Sequence, residues 1–166
     1  GIQNVKAAEY IEQSMYTQRL HTAQEFNKMF LGEYSQKQVR AYTDLYNDAV
    51  KLMSSKDLEA FDLTKETEAT REMYGDDNFG QGCLLARRLV DTGVRFVEVQ
   101  LGGWDMHNDV FGNMETRGAT LDRGLSALLK DLERTGKLSN TMVVVASEFG
   151  RSPEVKAGRI GRDHHP

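Results

Sequence analysis

Three short stretches carry residue types that do chemistry. In "WDMH", Asp105 and His107 stand two positions apart. On an extended segment both side chains point the same way, and a carboxylate with an imidazole is a sensible ligand pair for zinc, manganese or iron. Gly102 and Gly103 let the backbone turn sharply ahead of the pair, and Trp104 is placed to wall it. In "SEFGRSP", Glu148 and Arg151 follow an apolar run. A carboxylate there needs a counter-charge or a bound cation. Arg151 supplies the first as a salt bridge; alternatively Glu148 suits a metal and Arg151 grips an anionic ester through a forked contact. The chain closes on "GRDHHP", with Asp163, His164 and His165 in a row. Neighbours on an extended chain face opposite ways, so at most two of these three meet one metal directly and the third supports it from behind. Arg151, Lys156, Arg159 and Arg162 outweigh Glu154 and Asp163 in this last segment, an excess that attracts a phosphate- or sulfate-like group. Each stretch also has a plain reading: a surface loop, a structural ion pair and a loose tail.

Positioning such residues is the task of the elements around them. From Ile2 to about Tyr74 the sequence has no Pro and, after Gly1, a single Gly, and Val39, Tyr42, Tyr46, Val50 and Met53 fall three or four apart. That spacing predicts several helices over residues 1–74, broken near "LGEYS" and "SSKD". The texture changes over 75–166. "FGQGCLLARRLVDTG" reads as a helix capped by Gly93, "VRFVEVQL" as a short strand, and "ATLDRGLSALLKDLERTG" as an amphipathic helix whose Leu121, Leu125, Leu128, Leu129 and Leu132 share one face. "TMVVVASEFG" follows, four apolar residues in succession suiting a strand buried on both faces. Strand, helix, strand forms a βαβ unit with parallel strands and a right-handed crossover. The expected class is therefore α/β, a helical half followed by a parallel sheet. Both post-strand loops would leave from the carboxyl edge where ligands bind, bringing Asp105 and His107 to the side of Glu148 and Arg151.

Bulk properties exclude several classes. A net charge of −4 with scattered Lys and Arg argues against a nucleic-acid binder, which shows a basic face. The single Cys, Cys83, rules out an internal disulfide framework and a cysteine zinc site; it reads as a packed small side chain. No apolar run approaches the roughly 20 residues that span a bilayer. A signal peptide is absent too, but the sequence opens on Gly1 rather than Met, so that absence weighs little.

Taken in order, "DLTKETEATREMYG", "FGQGCLLARRLVDTGVRFVEVQLGGWDMHND", "LDRGLSALLKDLERTGKLSNTMVVVASEFGRSP" and "GRDHHP" resemble the bacterial domain-of-unknown-function 1501 family, strongly over residues 60–166 and more loosely before. The resemblance places the chain in the alkaline phosphatase and sulfatase superfamily. It implies part of a sandwich with a parallel sheet, an incomplete domain whose missing N- and C-terminal parts complete the fold, and export to the periplasm. In that superfamily Asp and His residues hold two metals beside a Ser, Thr or Cys nucleophile. By resemblance Asp105 and His107 match one ligand pair, Glu148 stands where relatives often have an Asp-His pair, with Phe149 in place of the His, and Asp163, His164 and His165 match the late His region. The expected function is thus a fragment of a metal-dependent phosphate- or sulfate-ester hydrolase, inactive alone. A divalent ion (zinc, manganese, calcium or iron) would be its cofactor, Arg151 and Arg162 would hold an anionic small-molecule ester, and the nucleophile is unassigned. The alternative is a non-catalytic exported binding or assembly protein on a hydrolase-derived fold, and a third is an α/β domain with ordinary surface polar groups.

Overall fold

The computed structural model describes residues 8 and 10–165. The helical reading of the residues before Ala8, and Pro166 of the closing motif, lie outside that set. Two compact units divide between Asp62 and Leu63.

The first unit is a pair of helices, α1 (Gln13–Glu33) and α2 (Lys37–Met53), followed by a 3-10 helix over Lys56–Phe61. Absence of Pro and of β-branched clusters lets these long helices run. Half-buried Val39, Tyr46, Val50 and Met53 form the inner face of α2, while Tyr42 points out. Tyr16 on α1 reaches Met53 Sδ at 3.8 Å.

The second unit contains α3 (Glu68–Tyr74), α4 (Asn78–Asp91) and α5 (Val110–Arg134), which pack on one another. Side-chain caps start the first two. Thr67 accepts from the Thr70 amide at 3.1 Å, and Asp77 accepts from Phe79 and Gly80 at 2.9 and 3.0 Å, satisfying amides that the first turn leaves bare. The core joins Tyr74, Phe79, Cys83, Leu84 and Ala127, with Val99, Leu101, Leu121 and Leu128 packed around it. Helices α4 and α5 approach closely at Gly124: a Cβ there would sit 2.8 Å from the Phe79 ring and 3.3 Å from Gly80 Cα. Burial raises the Cys83 thiol to about 11, so it stays a neutral packing group, as its position in the core requires.

An ion network lies against this core. Asp131 is wholly buried, with its side chain accepting from the Tyr74 hydroxyl at 3.1 Å and from Arg134 at 2.6 Å. Arg87 Nε lies 2.9 Å from the same carboxylate, at ion-pair distance but off the direction of a hydrogen bond. Arg87 also meets Glu66 at 2.7 Å and Asp91 at 3.0 Å. Burial pulls the Glu66 carboxyl up, yet the guanidiniums of Arg87 and Arg88 overcome it and hold the group below its ordinary value.

Among the described residues there is no parallel α/β sheet of the kind expected from the sequence. "VRFVEVQL" (94–101) and "TMVVVASEFG" (141–150), the two apolar runs read as strands, carry no strand or helix before Gly150. The strands among the described residues are β1 (Gly150–Arg151) and β2 (His164–His165), paired antiparallel. The structure is mostly helical and not an alkaline phosphatase-like sandwich. A strand exists by its ladder, and hydrophobicity alone supplies no hydrogen-bonding neighbour. Val97, Val99 and Leu101 are half-buried, whereas Phe96, Met142, Val144 and Val145 face outward. The rule that loops gather at the carboxyl edge of a sheet therefore cannot position the site; another device must.

Replacing Arg87 by Met leaves the Asp131 carboxylate buried with one cation removed. Urea unfolding of Arg87→Met is expected to show a loss of about 3–5 kcal/mol, partly restored by adding Asp131→Leu. A single variant as stable as the parent would contradict the role given to this network.

Candidate metal centre

The backbone of residues 106–110 clamps the end of the chain. The amides of Asp109 and Val110, where α5 begins, donate to the carbonyls of Arg159 and Ile160 at 3.0 and 2.7 Å, and the Arg162 amide donates to the Met106 carbonyl at 3.0 Å. Lys156 and Gly161 close a turn between them as an antiparallel bridge. Gly161 lies so near the His107 carbonyl that a Cβ would overlap it, so only glycine lets "GRDHH" press against "WDMHN". Beyond the turn, Ser152 donates to the Asp163 carbonyl at 2.9 Å, and β1 pairs with β2 so that Arg151 stands directly opposite His164. Cross-strand partners share a face, which delivers the guanidinium and the imidazole to one place.

That place is Asp105. Consecutive three-residue turns, Met106 N to Trp104 O at 2.9 Å and His107 N to Asp105 O at 3.2 Å, bury Met106 and leave Asp105 and His107 converging above it. His107 Nε2 lies 2.9 Å from Asp105 Oδ1 and His164 Nε2 lies 3.0 Å from the same oxygen. The two imidazole rings are 5.0 Å apart. Ligand atoms from Asp105, His107 and His164 fall within 4.8 Å of one another, a spacing one metal ion can bridge. Hydrogen-bond accounting tests the fit. His107 Nδ1 lies 3.0 Å from Asp163 Oδ1, so both of its nitrogens face carboxylates. A neutral ring has one N–H; donated to Asp163, it leaves Nε2 unprotonated, 2.9 Å from Asp105 Oδ1 but off the direction of a hydrogen bond. Two imidazole nitrogens and a carboxylate oxygen this close together form a donor set that suits a divalent cation. Carboxylate–imidazole support of this kind is what holds a metal-binding histidine in one tautomer.

The remaining residues take other places. Asp163 stands behind His107, held also by Lys156 and by Arg159 at 3.3 Å. Glu148 is exposed and meets Arg151 Nη2 at 3.5 Å. His165 lies opposite Gly150 on the ribbon, on the face away from His164 by strand alternation. Arg162 Nε is buried without a hydrogen-bond partner among the described residues. Arg151 donates to Asp105 Oδ1 and rests 5.3 Å from the Phe149 ring centre; that ring in turn lies 4.4 Å from His164. Phe149 thus walls the site, and Lys156, Arg159 and Gly161 frame it, roles that residue type alone does not announce. The contact of Gly161 with His107 is an encounter between residues far apart in the chain.

The carboxyls respond to these partners. The Arg151 hydrogen bond, with that of His164, holds Asp105 below its usual value. Asp163 is drawn down to about 2 by the hydrogen bonds of Lys156 and then His107.

A family model described as protein of unknown function (DUF1501) matches residues 1–166. The chain belongs to that family. No curated protein and no solved structure matches it. In this DUF1501 chain, "GWDMH" and "GRDHH" are the segments that meet to form the cluster.

A depressed carboxyl stabilises the fold above its unfolded value and loses that contribution as pH falls through the folded one. The Asp163 contribution is thus full above about pH 4 and lost near pH 2. Carboxyl-carbon NMR should place the Asp163 midpoint well below those of exposed aspartates. An ordinary midpoint would contradict the Lys156–Asp163–His107 arrangement.

Proposed function

We propose that Asp105, His107 and His164 hold one divalent transition metal and that the site acts on a phosphate or sulfate ester. The observation that carries this reading is the convergence of three ligand atoms with a carboxylate behind one of the histidines. Two imidazole nitrogens and one carboxylate oxygen suit zinc, manganese or iron and suit calcium poorly, since calcium prefers oxygen throughout. Three protein ligands leave room for a further one, the pattern of a catalytic rather than a structural ion. When bound, such an ion supplies Lewis acidity toward an ester oxygen.

The chain's own residues do the rest. Asp163 keeps the Nδ1 proton of His107 and so presents Nε2 to the site. Phe149 packs against His164 and limits its rotation. Arg151 offers paired N–H groups whose geometry matches a tetrahedral oxyanion. Lys156 and Arg159 stand on the far side of Asp163 and pair with it, which leaves Arg151 as the cation next to the ligand atoms.

A second reading is a binding or assembly protein without turnover. Its support is the openness of the site: the side chains of Asp105 and His164 are 57% and 52% exposed, and hydrolases commonly exclude bulk water around the reacting group. The two readings separate experimentally. Zinc or manganese should bind with a one-to-one stoichiometry in calorimetry, and His107→Ala or His164→Ala should weaken it at least about 10-fold. Turnover of p-nitrophenyl phosphate or p-nitrophenyl sulfate, lost in the same variants, supports the hydrolase. Because the hydrolase reading expects this segment to be inactive alone, turnover is measured on the full-length protein; metal binding without turnover there supports the second reading, and unaltered metal affinity in both variants would contradict the site itself.

A further inference from the structure

We propose that Arg151 is a resident cation which an incoming metal displaces, so that metal entry frees the guanidinium to bind a tetrahedral oxyanion. The inference rests on the metal reading above and assigns the order of binding at that site.

The starting point is over-subscription of one atom. Asp105 Oδ1 faces Arg151 Nη1, His107 Nε2 and His164 Nε2 together. A carboxylate oxygen offers about two lone-pair directions, so three nitrogens and a cation cannot all be served. An ion placed among Asp105, His107 and His164 takes the lone pair that Arg151 now uses, and its charge repels the guanidinium. Arg151 supplies the positive charge that faces the exposed Asp105 carboxylate.

Displacement leaves Arg151 with somewhere to go. Its side chain is 19% exposed and fixed at the base by the β1–β2 ribbon. Glu148 Oε1 lies 3.5 Å from Nη2, and the Phe149 ring lies beside the guanidinium, a surface on which a cation rests favourably. The Nη1 edge, released from Asp105, then points to the neighbourhood of the metal with a donor unused. A phosphate or sulfate group completes both needs, one oxygen toward the ion and another on the arginine. Metal and oxyanion should therefore bind with positive coupling, and thermodynamic linkage makes the effect reciprocal.

The test measures zinc affinity by competition with a chromophoric chelator, with and without inorganic sulfate, in the parent, Arg151→Gln, Arg151→Lys and Arg117→Gln. Arg117 lies beside Gly103, near the same loop, and controls for simple loss of one positive charge. Circular dichroism checks that each variant retains its helices. Sulfate should tighten zinc binding by the parent within the range of about 5- to 150-fold usual for coupled sites. Arg151→Gln should bind zinc several-fold more tightly without sulfate, because the competitor is gone, and should lose most of the sulfate effect. Arg151→Lys should retain part of that effect, and Arg117→Gln should match the parent. Zinc binding by the parent with Arg151→Gln equal or weaker would overturn the displacement while leaving the metal site standing. Equal tightening by Arg151→Gln and Arg117→Gln would reduce it to general electrostatics and overturn it as well. Failure of both parent and Arg151→Gln to bind zinc would remove the metal reading and this inference together.

Discussion

One carboxylate oxygen organises the site. Asp105 is exposed, yet three nitrogen groups from residues 107, 151 and 164 gather on it. Exposed ion pairs are individually weak, so charge alone would not assemble this cluster. The backbone does that work: the amides of Asp109 and Val110 and the carbonyl of Met106 hold the 156–162 turn, and the Arg151–His164 register fixes which side chains face inward. Electrostatics then decides which cation occupies a position that main-chain hydrogen bonds have already built.

The helical body supplies the platform. Helix α5 begins at the residue that receives the closing turn; its middle is locked to α4 by the close approach at Gly124 and its last turn to α3 by the buried Tyr74–Asp131 bond. Rigidity is thus passed from a packed core to a loop by way of a helix terminus. Ligand sets need such support, since small displacements of a donor atom are enough to lose a metal.

Much of the helical body was legible in the sequence, because helices are written locally. The leucine spacing of α5 and the glycines after α4 and α5 are signals within a few turns, and the structure shows left-handed Gly93 and Gly136 just past those two helices. The parallel sheet read from the sequence was wrong. "VRFVEVQL" and "TMVVVASE" have strand composition, but a ladder requires a partner, and partner choice is non-local. The site was legible in type and not in arrangement. Asp105, His107 and His164 stand out as possible ligands from their chemistry. That Asp163 serves His107 from behind, that Arg151 sits on Asp105, and that a glycine must lie against the His107 carbonyl all depend on which chain segments touch. The route also differs from the one a sheet-edge argument supplies: a two-residue ribbon and a docked turn bring these loops together.

The central claim is that His107 and His164 both present Nε2 to one ion while Asp163 retains the His107 Nδ1 proton. Long-range nitrogen–proton NMR of the imidazole rings during zinc titration measures this directly. The account predicts large zinc-dependent shifts at the Nε2 of His107 and His164, with His107 Nδ1 staying protonated and the ring nitrogens of His21 and His165 unmoved. Zinc-dependent shifts at His107 Nδ1, or equal response from all four histidines, would contradict it.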